Sequence, residues 1–323
     1  MSAVSQTRNV ARSTRHAVRS GAAVIGVLTV LLFVLAAIAV PNFASSSNVR
    51  SLLLSVSLVG IAAVGLSLIT IIGRIFALSI ASMIALTTIV FAHALQFGPW
   101  IAFLIAVLSG TAMGLLQGSI VGLLKADPII TTIAFSAILL GAGQEWTGGR
   151  TVVGSGGTGI LNQNLMGIPF QVIVFLAGTA ILGWWQRYTA PGRRITLIGS
   201  NERAAWLSGL RAGPHVLLSF LIFGTMVGTS GALLAAQSGE GNVLLGGTFG
   251  FDVIIAVVVG GVVIIGGAGN PANAAIGAIF VGLLGNILAL MGLAYQNQLL
   301  VKGVLVLLAV VLMGISERSR RPR

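Results

Sequence analysis

The chain has no cysteine, which excludes a disulfide framework and thiolate chemistry together. Charge is almost as scarce, since only 7% of its 323 residues are charged and Asp and Glu number 6. The three histidines, at 16, 93 and 215, lie too far apart in sequence to suggest a metal motif. Lysine occurs only at 125 and 302 and never after a glycine. The chain therefore lacks the phosphate-cradling loop needed to hydrolyse ATP by P-loop chemistry. No catalytic constellation, metal or cofactor is expected in this chain. All six acids (Asp127, Glu145, Glu202, Glu240, Asp252 and Glu317) are expected at segment ends or in loops. Asp252 reads as the N-cap of an apolar segment, and Lys302 as a side chain whose long stem snorkels to the interface, with a coupling role as its alternative. No buried acid or ion pair is expected mid-membrane, which argues against an ion-coupled carrier.

Apolar sequence is what the chain has in excess. Hydrophobic residues make up 56% of it and the mean hydropathy is +1.04. A soluble core of this length would leave far more charge on its surface and would break its apolar runs. The fold expected is all-α, a polytopic transmembrane helical bundle. Spans of about 20 apolar residues fall near 21–40, 50–71, 75–95, 99–123, 128–146, 169–186, 214–238, 252–267, 272–293 and 296–315, giving about ten membrane helices. The net charge of +12 draws eight basic residues from the tails, Arg8, Arg12, Arg15, Arg19, Arg318, Arg320, Arg321 and Arg323. Such charge reports membrane topology, and no nucleic-acid partner is expected. With an even count, both tails, Arg74, Lys125 and residues 187–211 share one side, so both termini are expected to be cytoplasmic. The organisation expected is a basic tail (1–20), a membrane domain (21–315) and a second basic tail (316–323).

Glycine is plentiful, at 44 residues. Gly110, Gly114, Gly118 and Gly122 recur at four-residue spacing and bare one helix face, which lets a second helix approach closely where lipid supplies no hydrophobic drive. The long polar island of the second half, YTAPGRRITLIGSNERAAWLSGLR at 188–211, must lie outside the bilayer, because each charge would cost roughly 2.5 to 3.5 kcal/mol at its centre. Within it, Ser200 or Asn201 can cap a short helix, Glu202 suits its first turn and Gly209 can close it. Ala204, Ala205 and Ser208 then offer a small-residue surface for a partner, with packing on the chain itself as the alternative.

Two stretches carry a family resemblance. PGRRITLIGSNERAAWLSGL and FDVIIAVVVGGVVIIGGAGNPANAAIGA resemble segments of the inner-membrane permeases of binding-protein-dependent ABC importers, in the branch that includes the ribose, xylose and galactoside permeases. LKADPIITTIAFSAILLGAG, followed by TGGR, adds to the likeness, which runs from about residue 49 to 315. The resemblance implies a multi-pass protein of the bacterial inner (cytoplasmic) membrane that moves a small polar solute, a monosaccharide or related polyol. Its expected partners are a separate ATP-binding subunit, a periplasmic or extracellular solute-binding protein, a second permease chain (identical or not) and the lipid bilayer. By the same resemblance the island is the segment that couples to the ATPase, through Gly192, Arg193, Gly199, Asn201, Glu202, Ala204, Ala205, Ser208 and Gly209. Glu202 stands where the family frequently has proline. Gly260, Gly261, Gly266, Gly267 and Gly269 would permit tight packing and a sharp turn of the chain, and Asp252 has an outer-gate contact as its second reading. Neutral hydrogen-bonding groups, Ser79, Ser82, Gln117 and Asn286, are the candidates to line the path. Where the family usually has Gly-Gly-Ile-Asp-Leu-Ser-Val-Gly-Ser, this chain reads GRIFALSIAS. The loss of that acid raises the expectation of a non-identical permease partner. The rival reading is a secondary carrier or channel that works without ATP.

Overall fold

The computed structural model describes residues 23–318 apart from 75, 76 and 166. The expected tail at 1–20 and residues 319–323 lie outside the described residues. Among the described residues twelve α-helices follow in order. The first six are α1 (Ala23–Ala39), α2 (Ser46–Ile71), α3 (Ile80–Ala94, extended by a 3-10 turn, Leu95–Phe97), α4 (Pro99–Gly122), α5 (Pro128–Thr147) and α6 (Phe170–Tyr188). The second six are α7 (Ala190–Ser200), α8 (Glu202–Leu207), α9 (Ala212–Ser238), α10 (Gly247–Val259), α11 (Pro271–Leu290) and α12 (Tyr295–Arg318).

Each of the ten expected segments overlaps one of these helices. Six helices, namely α2, α3 with its 3-10 turn, α4, α5, α9 and α11, are long and apolar enough to cross a membrane, while α1 and α10 are apolar but shorter. The segment expected at 252–267 differs most. Its helix runs over Gly247–Val259, 13 residues that rise about 20 Å against a hydrocarbon core of about 30 Å. The helix starts early because its glycines face α3: a Cβ on Gly246 would strike the Ala81 carbonyl oxygen, and one on Gly250 would lie 3.0 Å from the Ala81 Cβ. It ends early because Gly261, Gly266 and Gly267 take positive φ values of 85°, 95° and 79°, which fold residues 260–270 into a loop.

The core is built around α2 and α9. Every residue of α2 from Val56 to Ile71 is buried, as expected for a helix that is apolar on all sides. Helix α9 packs on α2, α3 and α4. Its contact with α4 is made through the glycine row: a Cβ on Gly114 would strike the Phe220 carbonyl oxygen and come within 2.9 Å of the Gly224 Cα, and one on Gly110 would come within 2.6 Å of the Gly228 Cα. Main chain therefore lies on main chain, and dispersion contact replaces the hydrophobic drive that lipid does not supply. Leu104, Leu108 and Leu116 of α4, and Ile130, Ile133 and Ile138 of α5, point outward and are exposed.

Side-chain caps start several helices. Asp127 accepts from the amides of Ile129 and Ile130 at 2.9 and 3.0 Å at the head of α5, and Asn270 accepts from the Ala272 amide at 2.9 Å at the head of α11. Two small antiparallel pairings occur in the loops: β1 (Val152–Val153) with β4 (Glu240–Gly241), in the register Val152↔Gly241, and β2 (Asn164–Leu165) with β3 (Ile168–Pro169).

Candidate functional site

The polar island folds as two helices, α7 and α8, where the sequence reading anticipated only the second. Thr189 caps α7, its hydroxyl accepting from the Gly192 amide at 3.3 Å. Asn201 caps α8, its Oδ1 accepting from the Ala204 amide at 2.9 Å. Glu202 occupies the first turn of α8, and Gly209 follows the helix at φ +80°. This is the cap, turn and exit anticipated from the residue types.

The exposed face of α8 differs from the expected one. Ala205 is 7% exposed and belongs to the hydrophobic core, so it packs inward on its own chain. Trp206 and Leu207 are 69% and 73% exposed, and Arg203, Ala204 and Ser208 are exposed around them. Trp206 and Leu207 thus stand where a small-residue surface is expected. An exposed tryptophan beside an exposed leucine on a charged segment was the signal available.

Gly192, Gly199 and Arg193 are engaged within the chain. A Cβ on Gly192 would come within 2.5 Å of the Gln186 Cα, and Arg193 donates to the Tyr188 carbonyl at 2.9 Å. Gly199 belongs to a joint where three stretches of backbone meet. The Gly267 amide donates to the Ile71 carbonyl at 2.8 Å, and a Cβ on Gly199 would run into that same oxygen. A Cβ on Gly266 would lie 2.7 Å from the Gly73 Cα, and one on Gly267 would strike Ser200. The end of α2, the end of α7 and the 260–270 loop thus touch main chain to main chain. Gly260 faces α11, where a Cβ would strike the Asn273 carbonyl oxygen, and a Cβ on Gly269 would lie 2.9 Å from a Val262 methyl. Beside the joint, Arg74 donates to Glu202 Oε1 at 2.9 Å, with side chains 27% and 57% exposed. An exposed pair of this kind adds little stability, but it ties α8 to the residues that follow the end of α2.

A buried polar cluster lies at the start of α3. Ser79 Oγ donates to Gln117 Oε1 at 2.8 Å, Ser82 Oγ donates to the Ser79 carbonyl at 2.9 Å, and the Leu78 amide donates to Thr132 Oγ1 at 3.2 Å. Ser79, Ser82 and Gln117 are buried and uncharged. The fourth candidate, Asn286, lies elsewhere: it exchanges two hydrogen bonds with Asn48, at 2.8 and 3.0 Å, and joins α11 to α2.

Two expectations about charge are corrected. Asp252 is not an N-cap, because α10 begins five residues before it at Gly247. Lys302 does not snorkel: it is 5% exposed and its Nζ meets Asp252 Oδ1 at 2.7 Å and Oδ2 at 2.9 Å. An ion pair therefore does lie inside the bundle. The residues are 50 positions apart, and no pattern within one helix connects them.

Comparison with known proteins places this architecture. A profile of the family described as "Branched-chain amino acid transport system / permease component" matches residues 48–310. The chain is 30% identical to the ribose import permease protein RbsC of Bacillus subtilis over 288 residues, which cover 87% of this chain and 89% of that one. It is 31% identical to RbsC of Escherichia coli K12 over 287 residues, covering 84% and 87%. It is 29% identical to the L-arabinose transport system permease protein AraH of Escherichia coli K12 over 305 residues, covering 91% of each. The resemblance read from the polar island and the glycine-rich stretch thus extends over most of the chain, and this multi-pass membrane protein belongs to the family of ABC transport-system permease components.

Proposed function

We propose that this chain is the membrane subunit of an importer that carries a monosaccharide or related polyol across the bacterial inner membrane, using ATP hydrolysed in a separate subunit. A solute-binding protein delivers the ligand to the outer loops, and two permease chains, identical or not, form the path. The permease makes and breaks no covalent bond.

The observation that carries the reading is α8. It is a capped helix of six residues that packs on its own chain through Ala205 and whose exposed side carries Trp206 and Leu207. Exposed aromatic residues of this kind are the usual anchors of protein interfaces. The ATP-binding subunit is the partner that the family supplies at this position. Displacement of α8 reaches the bundle by two routes, the glycine joint at Ile71, Gly199 and Gly267 and the Arg74–Glu202 pair.

A neutral ligand suits the buried groups. Hydroxyl and amide groups can exchange hydrogen bonds with a sugar, whereas a zwitterionic amino acid would call for charged partners. Among the described residues the charges inside the bundle, Asp252 and Lys302, already engage each other.

The test is uptake into vesicles that hold this chain with its co-purified subunits, using labelled ribose, arabinose, xylose and leucine. ATP-dependent uptake of a sugar is expected. Trp206→Ala should weaken association with the ATP-binding subunit by about 2 kcal/mol, roughly 30-fold, as for an interface anchor. Unchanged association and uptake would refute the docking reading, and uptake of leucine alone would reassign the ligand class.

A further inference from the structure

The least expected feature of the bundle is the Asp252–Lys302 pair, and a stability role does not account for it. Removing two charges from water costs more than most buried pairs return, and apolar residues of similar volume hold helices together as well or better. An ionisable group within a membrane bundle therefore calls for a reason beyond cohesion. What a buried ion pair supplies is register, because each charge must keep its counter-charge, and here both carboxylate oxygens lie within 2.9 Å of one nitrogen.

The surroundings show which elements that register joins. Helix α10 meets α11 across bare surfaces: a Cβ on Gly277 would strike the Ala256 carbonyl oxygen, and one on Gly260 would strike that of Asn273. Such surfaces bring main chain against main chain and hold the two helices by dispersion contact. Helix α10 meets α12 through the ion pair, and Gly285 of α11 leaves the space that the ammonium fills, since a Cβ there would lie 3.3 Å from Lys302 Nζ. At its start α10 touches α3 at Ala81, two residues from Ser79, and at its end it runs into the loop that forms the glycine joint. It is thus a strut between the joint beside α8 and the neutral cluster, clasped from the side by α12.

We propose that Asp252 and Lys302 are a positioning pair that makes α10 and α12 one moving body during transport. The inference rests on the reading of α8 as the ATPase dock, because the movement is taken to start there. Its test is the double substitution Asp252→Leu/Lys302→Met, which replaces both charges by apolar side chains and leaves no lone buried charge. This variant is expected to assemble with the ATP-binding subunit, while the solute carried per ATP hydrolysed falls by about 5- to 150-fold, the usual range for coupling between sites. A merely structural pair would leave that ratio unchanged, and a ratio within twofold of wild type would overturn the proposal. A second measurement needs no variant. In the wild-type complex, a non-hydrolysable ATP analogue is expected to change hydrogen exchange in α10 and α12 together; a change in only one of them, or in neither, would overturn it. Failure of the docking reading would show instead as Trp206→Ala complexes that keep their ATP-binding subunit.

Discussion

Replacing Gly199 by alanine adds one methyl group at the point where three backbones meet. That methyl would run into the Ile71 carbonyl oxygen and come within 2.7 Å of the Gly267 nitrogen, the same two atoms that form a 2.8 Å hydrogen bond. No side chain stands in the way that could change rotamer, so relief requires backbone movement. Overpacking of a close-packed site costs about 1 to 3 kcal/mol and a lost hydrogen bond about 0.5 to 1.5 kcal/mol, which together give roughly 1.5 to 4.5 kcal/mol. Gly141→Ala is the control. Gly141 lies within α5 and a Cβ there meets nothing within 4 Å, so the same chemical change should stabilise by about 0.5 to 1 kcal/mol through helix propensity. Titration of the purified chain with SDS in mixed micelles, read by tryptophan fluorescence, would compare the two directly. Gly199→Ala should also lower uptake at normal ATP-subunit association. Unfolding free energies within about 0.5 kcal/mol of each other would refute the assignment of Gly199 to a backbone joint.

Other substitutions separate roles that the sequence alone assigned together. Ala205→Arg would place a charge in the core and should prevent stable folding, whereas Ala204→Arg, on the exposed side of α8, should fold normally and lose the ATP-binding subunit; pull-down with a melting curve reads both. Asn286→Ala breaks the exchange with Asn48 and should cost about 0.6 to 1.7 kcal/mol while leaving the half-saturating solute concentration unchanged in uptake assays. Arg74→Gln removes a half-exposed pair, so stability should fall by less than about 1 kcal/mol. The difference should shrink further in 1 M salt, where the screening length is about 3 Å.

What was legible in the sequence was whatever depends on neighbours along the chain. Apolar runs marked the helices, and Asn201, Glu202 and Gly209 marked the boundaries of α8, because capping and turn chemistry are local. The four-residue spacing of Gly110 to Gly122 marked one packed face, and Gly224 and Gly228 repeat that spacing on its partner, but nothing along the chain pairs the two rows. Contacts between distant positions were silent. Lys302 looked like an interfacial lysine because Asp252, its counter-ion, lies on another helix. Asp252 in turn looked like a cap because GTFGF reads as loop until α3 is placed against its glycines. Helix α7 escaped notice because Arg193 and Arg194 are exposed on one side of it and Ile195 and Ile198 are buried on the other, and its charge was read as loop. Ser79 and Gln117 were sound candidates by residue type. That they meet while Asn286 stands apart follows only from how α3, α4 and α11 are arranged.

The joint at Ile71, Gly199 and Gly267 contains no rotatable side chain between its parts. Most contacts in a protein have slack, since a leucine can tilt or a lysine can swing before the backbone beyond it feels a push. Here there is nothing to tilt. A shift of the end of α7 by a few tenths of an ångström must either move the end of α2 and the 260–270 loop by a similar amount or break the Gly267–Ile71 hydrogen bond. A linkage of that kind responds to small input strokes without first taking up play, and it fails abruptly when overdriven.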